Sequence, residues 1–424
     1  MSTHQHRVVI TGMGVVAPNG HGLDNYEQAL RKGVSGIKHH EHLAEANFAC
    51  QVGGIPQNID DIKHDYLSEE SLLAMNEAMI FGAIAAIDCW RDAGLPEPGD
   101  QPDWDTGAII GTGISGLDTI GKKLIPMVDK GRVKRLGSTM VEQVMASSSS
   151  ANIGGLLALG GQVTTNSSAC TTGTEAIVNG YHKINSGQLK RMIVGGTEGA
   201  SKYSWAGFDA MRVLARGYND KPEQASRPMS ASAVGFVPGS GAGMLMLESL
   251  DSALARGADI YAEVIGVDVN CGGQRNGGST TFPNPTGVQR CIRAALKHAG
   301  IKGSEVDLIN GHLTATMADP YEINNWHEAL NCDPDQMPKI NATKSLVGHA
   351  LGAAGGLECV ASVLQLSRGF VHGSLNCDDL HPDLEAYADR IVHKTEDSNA
   401  QILAKASFGF GDVNACTLFK TFNP

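Results

Sequence analysis

A chain of 424 residues, 42% hydrophobic and 18% charged, has a globular composition and is long for one compact core, so two domains or two fused halves are expected. Its formal net charge of -12 argues against a surface that tracks nucleic-acid phosphates, so no nucleic-acid partner is expected. The nine cysteines form no C-x-x-C pair and no ladder of close spacings, which reads as neither a zinc site nor a disulfide framework.

In chain order, no basic and then apolar leader follows Met1. The longest apolar stretch, Ala78 to Cys89, is interrupted by Gly82 and Asp88 well short of the roughly 20 residues of a membrane span. A cytoplasmic protein with no membrane segment is expected. His39, His40 and His42 in "KHHEH" have no matching Cys or Asp constellation and read as solvated loop rather than metal ligands. Ser68 to Gly94 predicts a helix, with "SEES" at its start, a long apolar face and a glycine stop, and "DTGAIIGTG" follows as a buried strand. Gly111, Gly113 and Gly116 match G-x-G-x-x-G after that strand, the mark of a nucleotide-binding oxidoreductase. The second strand with its acidic end about 20 positions later is missing, so a tight strand-exit turn is the stronger reading. Lys130 to Arg135, "KGRVKR", is a basic patch suited to an acidic partner protein.

In "TTNSSACTTGTEAI" a strand over 162–166 leads into small residues, and Ala176, Ile177, Tyr181 and Ile184 then share one helical face, so Cys170 stands at a helix start. Unpaired N–H groups and the helix dipole there predict a thiol pKa below its free value of about 8.5. Alone, Cys170 is as readily a buried filler as a nucleophile. "GFVPGSGAGMLML" reads as close backbone packing followed by an apolar strand, and a division between halves is expected near Leu250 to Asp259. Val288 to Gly300 with "VDLINGHLTAT" then repeats the earlier order of helix, linker, apolar strand and glycine turn. His312 falls on that strand-exit turn, while Lys344 and His349 open a glycine- and alanine-rich helix carrying Glu358. A cysteine, two histidines and a lysine at element boundaries point together to a catalytic set where two α/β halves meet.

The strings "RVVITGMGVVAPNG", "SSACTTG", "GHLTAT", "TKSLVGHALGAAGGLE" and "SFGFGDVN", in this order over essentially the whole chain, resemble the β-ketoacyl-acyl-carrier-protein synthases of the elongating type. The resemblance implies a thiolase-like α/β fold, a layered α-β-α-β-α sandwich of two duplicated halves with a five-stranded sheet in each. The halves are expected to be 1–254, with Cys170, and 255–424, with His312, Lys344, His349 and the Phe410 loop. The implied reaction is decarboxylative Claisen condensation of a malonyl-acyl-carrier protein with an acyl group held on Cys170, serving fatty acid, type II polyketide or polyene elongation.

By the same resemblance His312 and His349 promote decarboxylation, Lys344 is the family lysine and Glu358 the acid that holds it. The N–H groups of Cys170 and Phe410 form the oxyanion hole, and Phe410 is the gate. Thr314, Thr316, Phe408 and Gly411 meet substrate or its pantetheine arm. No cofactor and no metal are implied; the partners are an acyl carrier protein and a second copy of the chain, or alternatively a homologous chain-length-factor-like subunit. A noncatalytic chain-length factor lacks the nucleophile, thiolases use a second catalytic cysteine, and starter-type synthases pair Cys and His with Asn, so none of these fits. Leu313 and Asp412 stand where the family has glycines, and "SRPMSASAVGFVPGSG" keeps Arg227 and Gly235 without the charged residues usual between them. These departures imply a divergent branch with a specialised substrate, and Asp412 is expected to place a carboxylate at the acyl entry.

Overall fold

The computed structural model describes residues 5–423, and its frame is a mixed sheet built from two sets of five strands. The first set is β1 (Val8–Ala17), β2 (Thr106–Gly111), β3 (Val163–Thr164), β4 (Arg191–Glu198) and β5 (Gly241–Ser249). The second is β6 (Ala262–Cys271), β7 (Leu308–Asn310), β8 (Lys339–Asn341), β9 (Ile402–Gly409) and β10 (Val413–Thr421). They run in the order β8-β7-β9-β10-β6-β1-β5-β4-β2-β3. Counted outward from the centre, each set presents its first, fifth, fourth, second and third strand, with two antiparallel pairings followed by two parallel ones. Identical order and sense in both sets are the structural form of the duplication. The sets join where Val8, Val9 and Ile10 pair with Val264, Glu263 and Ala262, so the two expected sheets form one hydrogen-bonded path.

Strands β1 and β5 are buried along their whole length, which is why "VVITGMGVVA" and "GAGMLMLES" carry apolar or small residues on both faces, except for Glu248, which pairs with Arg256. Five helices supply the layers: α1 (Glu77–Asp92), α2 (Thr172–Asn185), α3 (Pro285–Ala299), α4 (Asp319–Leu330) and α5 (Ala354–Arg368). Helices α2 and α5 touch strands of both sets and each other, α1 covers the outer face of the first set, and α3 covers that of the second with α4 packed against it. The result is the expected α-β-α-β-α sandwich. Full burial of a side chain such as Ile177 or Leu357 in the central layer contributes roughly 1.5–3 kcal/mol.

The two central helices cross at glycines. A Cβ on Gly173 would lie 2.6 Å from Gly356 N, and one on Gly355 would lie 2.4 Å from Thr174 N, so any larger residue would push the helices apart. This crossing sets the start of α2, with Cys170 before it, beside the start of α5, with Lys344 and His349 before it.

Local readings differ from the structure in a few places. The helix expected over Ser68 to Gly94 is two helices, Glu69–Ala74 and α1, because Met75 is extended and the Asn76 side chain accepts a hydrogen bond from Met79 N, capping a new start. The helix expected at Val288 begins at Pro285, capped by Asn284, and ends at a left-handed Gly300. "KHHEH" is not all loop: Ile37–His39 is a short strand and Glu41–Glu45 a helical turn. A short helix, Leu250–Ala255, links the two sets of strands. Among the described residues no helix is long and apolar enough to cross a membrane.

Candidate active site

Cys170 lies on a sharp turn between β3, which is two residues long rather than five, and α2. Ala169 is left-handed (φ 51), Thr171 precedes the helix with its hydroxyl donating to Val413 O at 2.9 Å, and Thr172 Oγ1 holds the turn by donating to Ala169 O at 2.7 Å and accepting from Ser168 N at 2.8 Å. The cysteine thus stands before the helix rather than within its first turn, 9% exposed. Burial pushes its thiol up to about 11, outweighing the Lys344 charge and the N–H groups of Phe410 and Cys170, which pull the other way. The expected lowering by the helix end is therefore overturned, since a sulfur stripped of water loses more than the dipole returns.

The second-half residues converge on this sulfur. After β7, the backbone of His312 and Leu313 donates to Glu322 of α4 at 2.6 and 2.7 Å, and Thr314 and Ala315 donate to Asp319 at 2.8 and 3.1 Å. These four bonds hold Leu313 (φ 21) and Ala315 (φ 61) in backbone that side chains avoid. Leu313 itself joins the core around Ile323 and Trp326 and does not line the substrate-sized cavity, so its expected effect on a pantetheine tunnel finds no contact there. His349 is gripped by the segment read only as packing: its N–H donates to Val237 O at 2.7 Å, its carbonyl accepts from Gly239 N at 2.9 Å, and Phe236 sits edge-on to its ring at 5.1 Å.

The sulfur and one ring nitrogen of each histidine lie within 4.8 Å of one another, and the two imidazoles meet edge to face at 5.4 Å. Both rings have Nδ1 facing a donor. Lys344 Nζ is 3.3 Å from His312 Nδ1, and Leu351 N donates to His349 Nδ1 at 3.2 Å. An ammonium has nothing to accept with, so each Nδ1 is an acceptor and the ring proton belongs on Nε2. Burial and then the Lys344 charge hold both imidazoles well below their usual pKa, so they are neutral N–H donors. Lys344 also donates to His312 O at 2.7 Å and contacts Glu358 Oε1.

The sulfur and histidines open into a cavity of about 410 Å³ walled by Phe208, Phe236, Phe408 and Phe410, with Thr314 and Thr316 on its polar side. Exposed Met211, Met317 and Tyr321 rim it. Lys344, Glu358 and Gly411 do not line this space; the first two stand behind His312, and Gly411 spends its N–H on Thr280 O at 2.7 Å. At Gly409 a Cβ would lie 2.5 Å from Thr171 Oγ1, so glycine is what lets the Phe408–Phe410 strand end reach the Cys170 turn.

Asp412 does not enter the acyl space. It is buried and left-handed (φ 64), and its two oxygens accept from Gln274 N and Asn284 N, both at 2.8 Å. Its carboxylate therefore ties the 272–284 loop, whose Thr281, Phe282 and Pro283 wall the cavity, to the turn after Phe410. Hydrogen bonds to a charged acceptor contribute about 1.5–3 kcal/mol. Asp412→Ala is expected to destabilise the protein by roughly 2 kcal/mol and to speed amide exchange at Gln274 and Asn284. Unchanged exchange at both amides would show that the carboxylate does not hold the loop.

The glycine turn after β2 is already filled by the protein's own carboxyl group. Glu198 accepts from Gly113 N, Ile114 N and Gly352 N at 2.8, 3.1 and 3.0 Å, leaving those amides no phosphate to bind and removing the nucleotide reading. Sequence reasoning missed Glu198, Asp319, Glu322 and Lys405. A lysine inside the apolar strand "ILAKASFG", and two carboxylates in the first turn of the helix after "GHLTAT", were the available signals.

With this geometry in hand, comparison with known proteins is informative. The family "Beta-ketoacyl synthase, N-terminal domain" matches residues 5–253, and "Beta-ketoacyl synthase, C-terminal domain" matches residues 261–378. The 3-oxoacyl-(acyl-carrier-protein) synthase 2 of Vibrio harveyi is 34% identical over 418 residues, spanning 98% of this chain and 99% of its own length. The 3-oxoacyl-(acyl-carrier-protein) synthase 1 of Escherichia coli strain K12 is 33% identical over 422 residues, 98% of each. Among solved structures, the ishigamide ketosynthase/chain length factor superposes with a TM-score of 0.89 at 28% identity, covering 99% of this chain and 100% of its own. A type II PKS acyl-carrier protein in complex with its ketosynthase bound to the hexaketide gives 0.87 at 26% identity, with coverage of 99% and 100%.

Proposed function

Because the chain belongs to the β-ketoacyl synthase family, we propose that it joins an acyl group on Cys170 to the carbon unit left when a malonyl-acyl-carrier protein loses CO₂. The observation that supports this most is the convergence of a turn-mounted cysteine with two histidines whose ring nitrogens lie within 4.8 Å of the sulfur and of each other, and whose Nδ1 atoms both face donors.

In the first half-reaction the Cys170 sulfur attacks the acyl thioester, the carrier's pantetheine thiol leaves, and the cysteine proton goes with it. The tetrahedral oxyanion accepts from the N–H groups of Cys170 and Phe410, which already face the sulfur. In the second, the malonyl carboxylate leaves as CO₂ and its bonding pair becomes an enolate, whose oxygen accepts from His312 and His349. The enolate carbon attacks the acyl-cysteine carbonyl, the carbon–sulfur bond breaks with its electron pair on sulfur, the β-ketoacyl carrier leaves, and the Cys170 thiolate takes a proton from solvent water to restore the thiol. Lys344, held by Glu358, keeps His312 in its donor tautomer. Phe408 and Phe410 close the acyl space, and Thr314 and Thr316 meet the pantetheine arm.

The acyl carrier protein is the partner, and the exposed Lys130, Arg132, Lys134 and Arg135 suit its acidic surface. The half-buried edge strand β3 and the exposed Ile114, Ile125, Val128, Val133 and Val141 suit assembly with a second ketosynthase-type chain. The cytoplasm, where carrier-bound acyl groups are made, is the compartment this reading calls for. Peptide mapping after incubation with an acyl carrier donor tests the assignment: the adduct belongs on Cys170, and an adduct mainly on Cys271, Cys359 or Cys416 would overturn it.

A further inference from the structure

Lys405 is fully buried on β9, three residues before Phe408, and has no part in the chemistry above. Its ammonium lies 2.8 Å from Glu358 Oε2, donates to Ser407 Oγ at 3.2 Å and contacts Ala406 O. The other oxygen of Glu358 contacts Lys344. One buried carboxylate thus stands between two buried lysines, one of which holds His312. Ser407 in turn shares a 2.8 Å hydrogen bond with Thr174 of α2, so Lys405 contacts the acid that holds Lys344 directly and reaches the helix that follows Cys170 only through Ser407.

The Glu358–Lys344 pair by itself does not account for this lysine. Glu358 and Lys344 alone form a matched pair, and a second ammonium adds a buried charge that burial opposes. The remaining carboxylates near the histidine turn, Asp319 and Glu322, spend their oxygens on backbone N–H groups. Without Lys405, Glu358 has a free oxygen and can rotate or offer both oxygens to Lys344, loosening the ammonium from His312 Nδ1.

We propose that Lys405 is a positioning residue for decarboxylation, fixing Glu358 so that Lys344 holds His312 with its Nε2–H toward the malonyl thioester. The idea rests on the histidine roles assigned above. Lys405→Met should lower CO₂ release from malonyl carrier protein roughly tenfold, less than the hundredfold or more expected from losing an oxyanion donor outright. Acylation of Cys170 and the KM for the malonyl carrier should stay as in the parent. The effect should vanish in the Lys344→Ala background, because a residue acting through Lys344 adds nothing once Lys344 is gone. Lys405→Gln, which keeps a donor for Glu358, should fall between parent and Lys405→Met and serves as the second variant if the methionine does not fold.

His312→Ala is assayed beside them. If it loses CO₂ release while the Lys405 variants keep the parental rate, Lys405 is only structural and the histidine assignment stands. Equal loss of acylation and CO₂ release in the Lys405 variants would also make the role structural. If His312→Ala keeps full CO₂ release, the assignment on which the proposal depends fails, and the proposal with it.

Discussion

Cys170→Gln is expected to make no β-ketoacyl product and to form no acyl-enzyme, yet still to release CO₂ from malonyl carrier protein. Condensation should fall by roughly 10⁴-fold or more, the scale of losing a covalent nucleophile. The sulfur is needed to hold the acyl group, whereas the enolate oxygen needs only donors, and those are His312 and His349, whose Nε2–H protons are set by Lys344 and Leu351 rather than by the cysteine. A glutamine fits the site because its carbonyl oxygen can accept from the N–H groups of residue 170 and Phe410 that face the native sulfur. Labelled CO₂ counted beside intact protein mass reads both halves. Loss of CO₂ release together with acylation would mean that the sulfur takes part in decarboxylation.

Replacing His312 or His349 by alanine should do the reverse. With one of two neutral donors gone, CO₂ release should fall on the order of 100-fold to 1000-fold, about 2.7–4 kcal/mol of transition-state stabilisation. Acylation of Cys170 should persist, because both Nδ1 atoms are occupied as acceptors and both Nε2 atoms carry protons, so neither ring is free to act as the base for the thiol. On the proposed mechanism that thiol, pushed up to about 11 by burial, should pass its proton to the departing pantetheine rather than to a histidine. Should both alanine variants retain the full rate of CO₂ release, the family fold would be present without this division of labour.

Much of this architecture is local in origin and readable in order along the chain. Apolar runs bounded by glycine mark β1, β2 and β5, and the recurrence of helix, linker, strand and glycine turn marks the duplication that the matching strand orders display. Cys170, His312, Lys344 and His349 were legible as a set because each falls at an element boundary, and boundaries are written in nearest-neighbour chemistry: caps, glycines and the switch from one periodicity to the other.

What the sequence by itself determined, then, is the inventory: two α/β halves, the family they resemble, and the side chains able to act. Tertiary structure alone decided what state those side chains are in. The Cys170 thiol rises instead of falling because the layers around it exclude water, and desolvation depends on residues far off in the chain. Asp412 turns from the acyl entry because amides 128 and 138 residues away offer it hydrogen bonds, and Glu198 fills the glycine turn from 84 and 85 residues away. Lys405 meets Glu358 only when β9 packs against α5. Helix and strand preferences act over a few neighbouring residues, whereas burial, pairing and tautomer are set by whatever the fold brings within about 4 Å, and no local pattern encodes that distance.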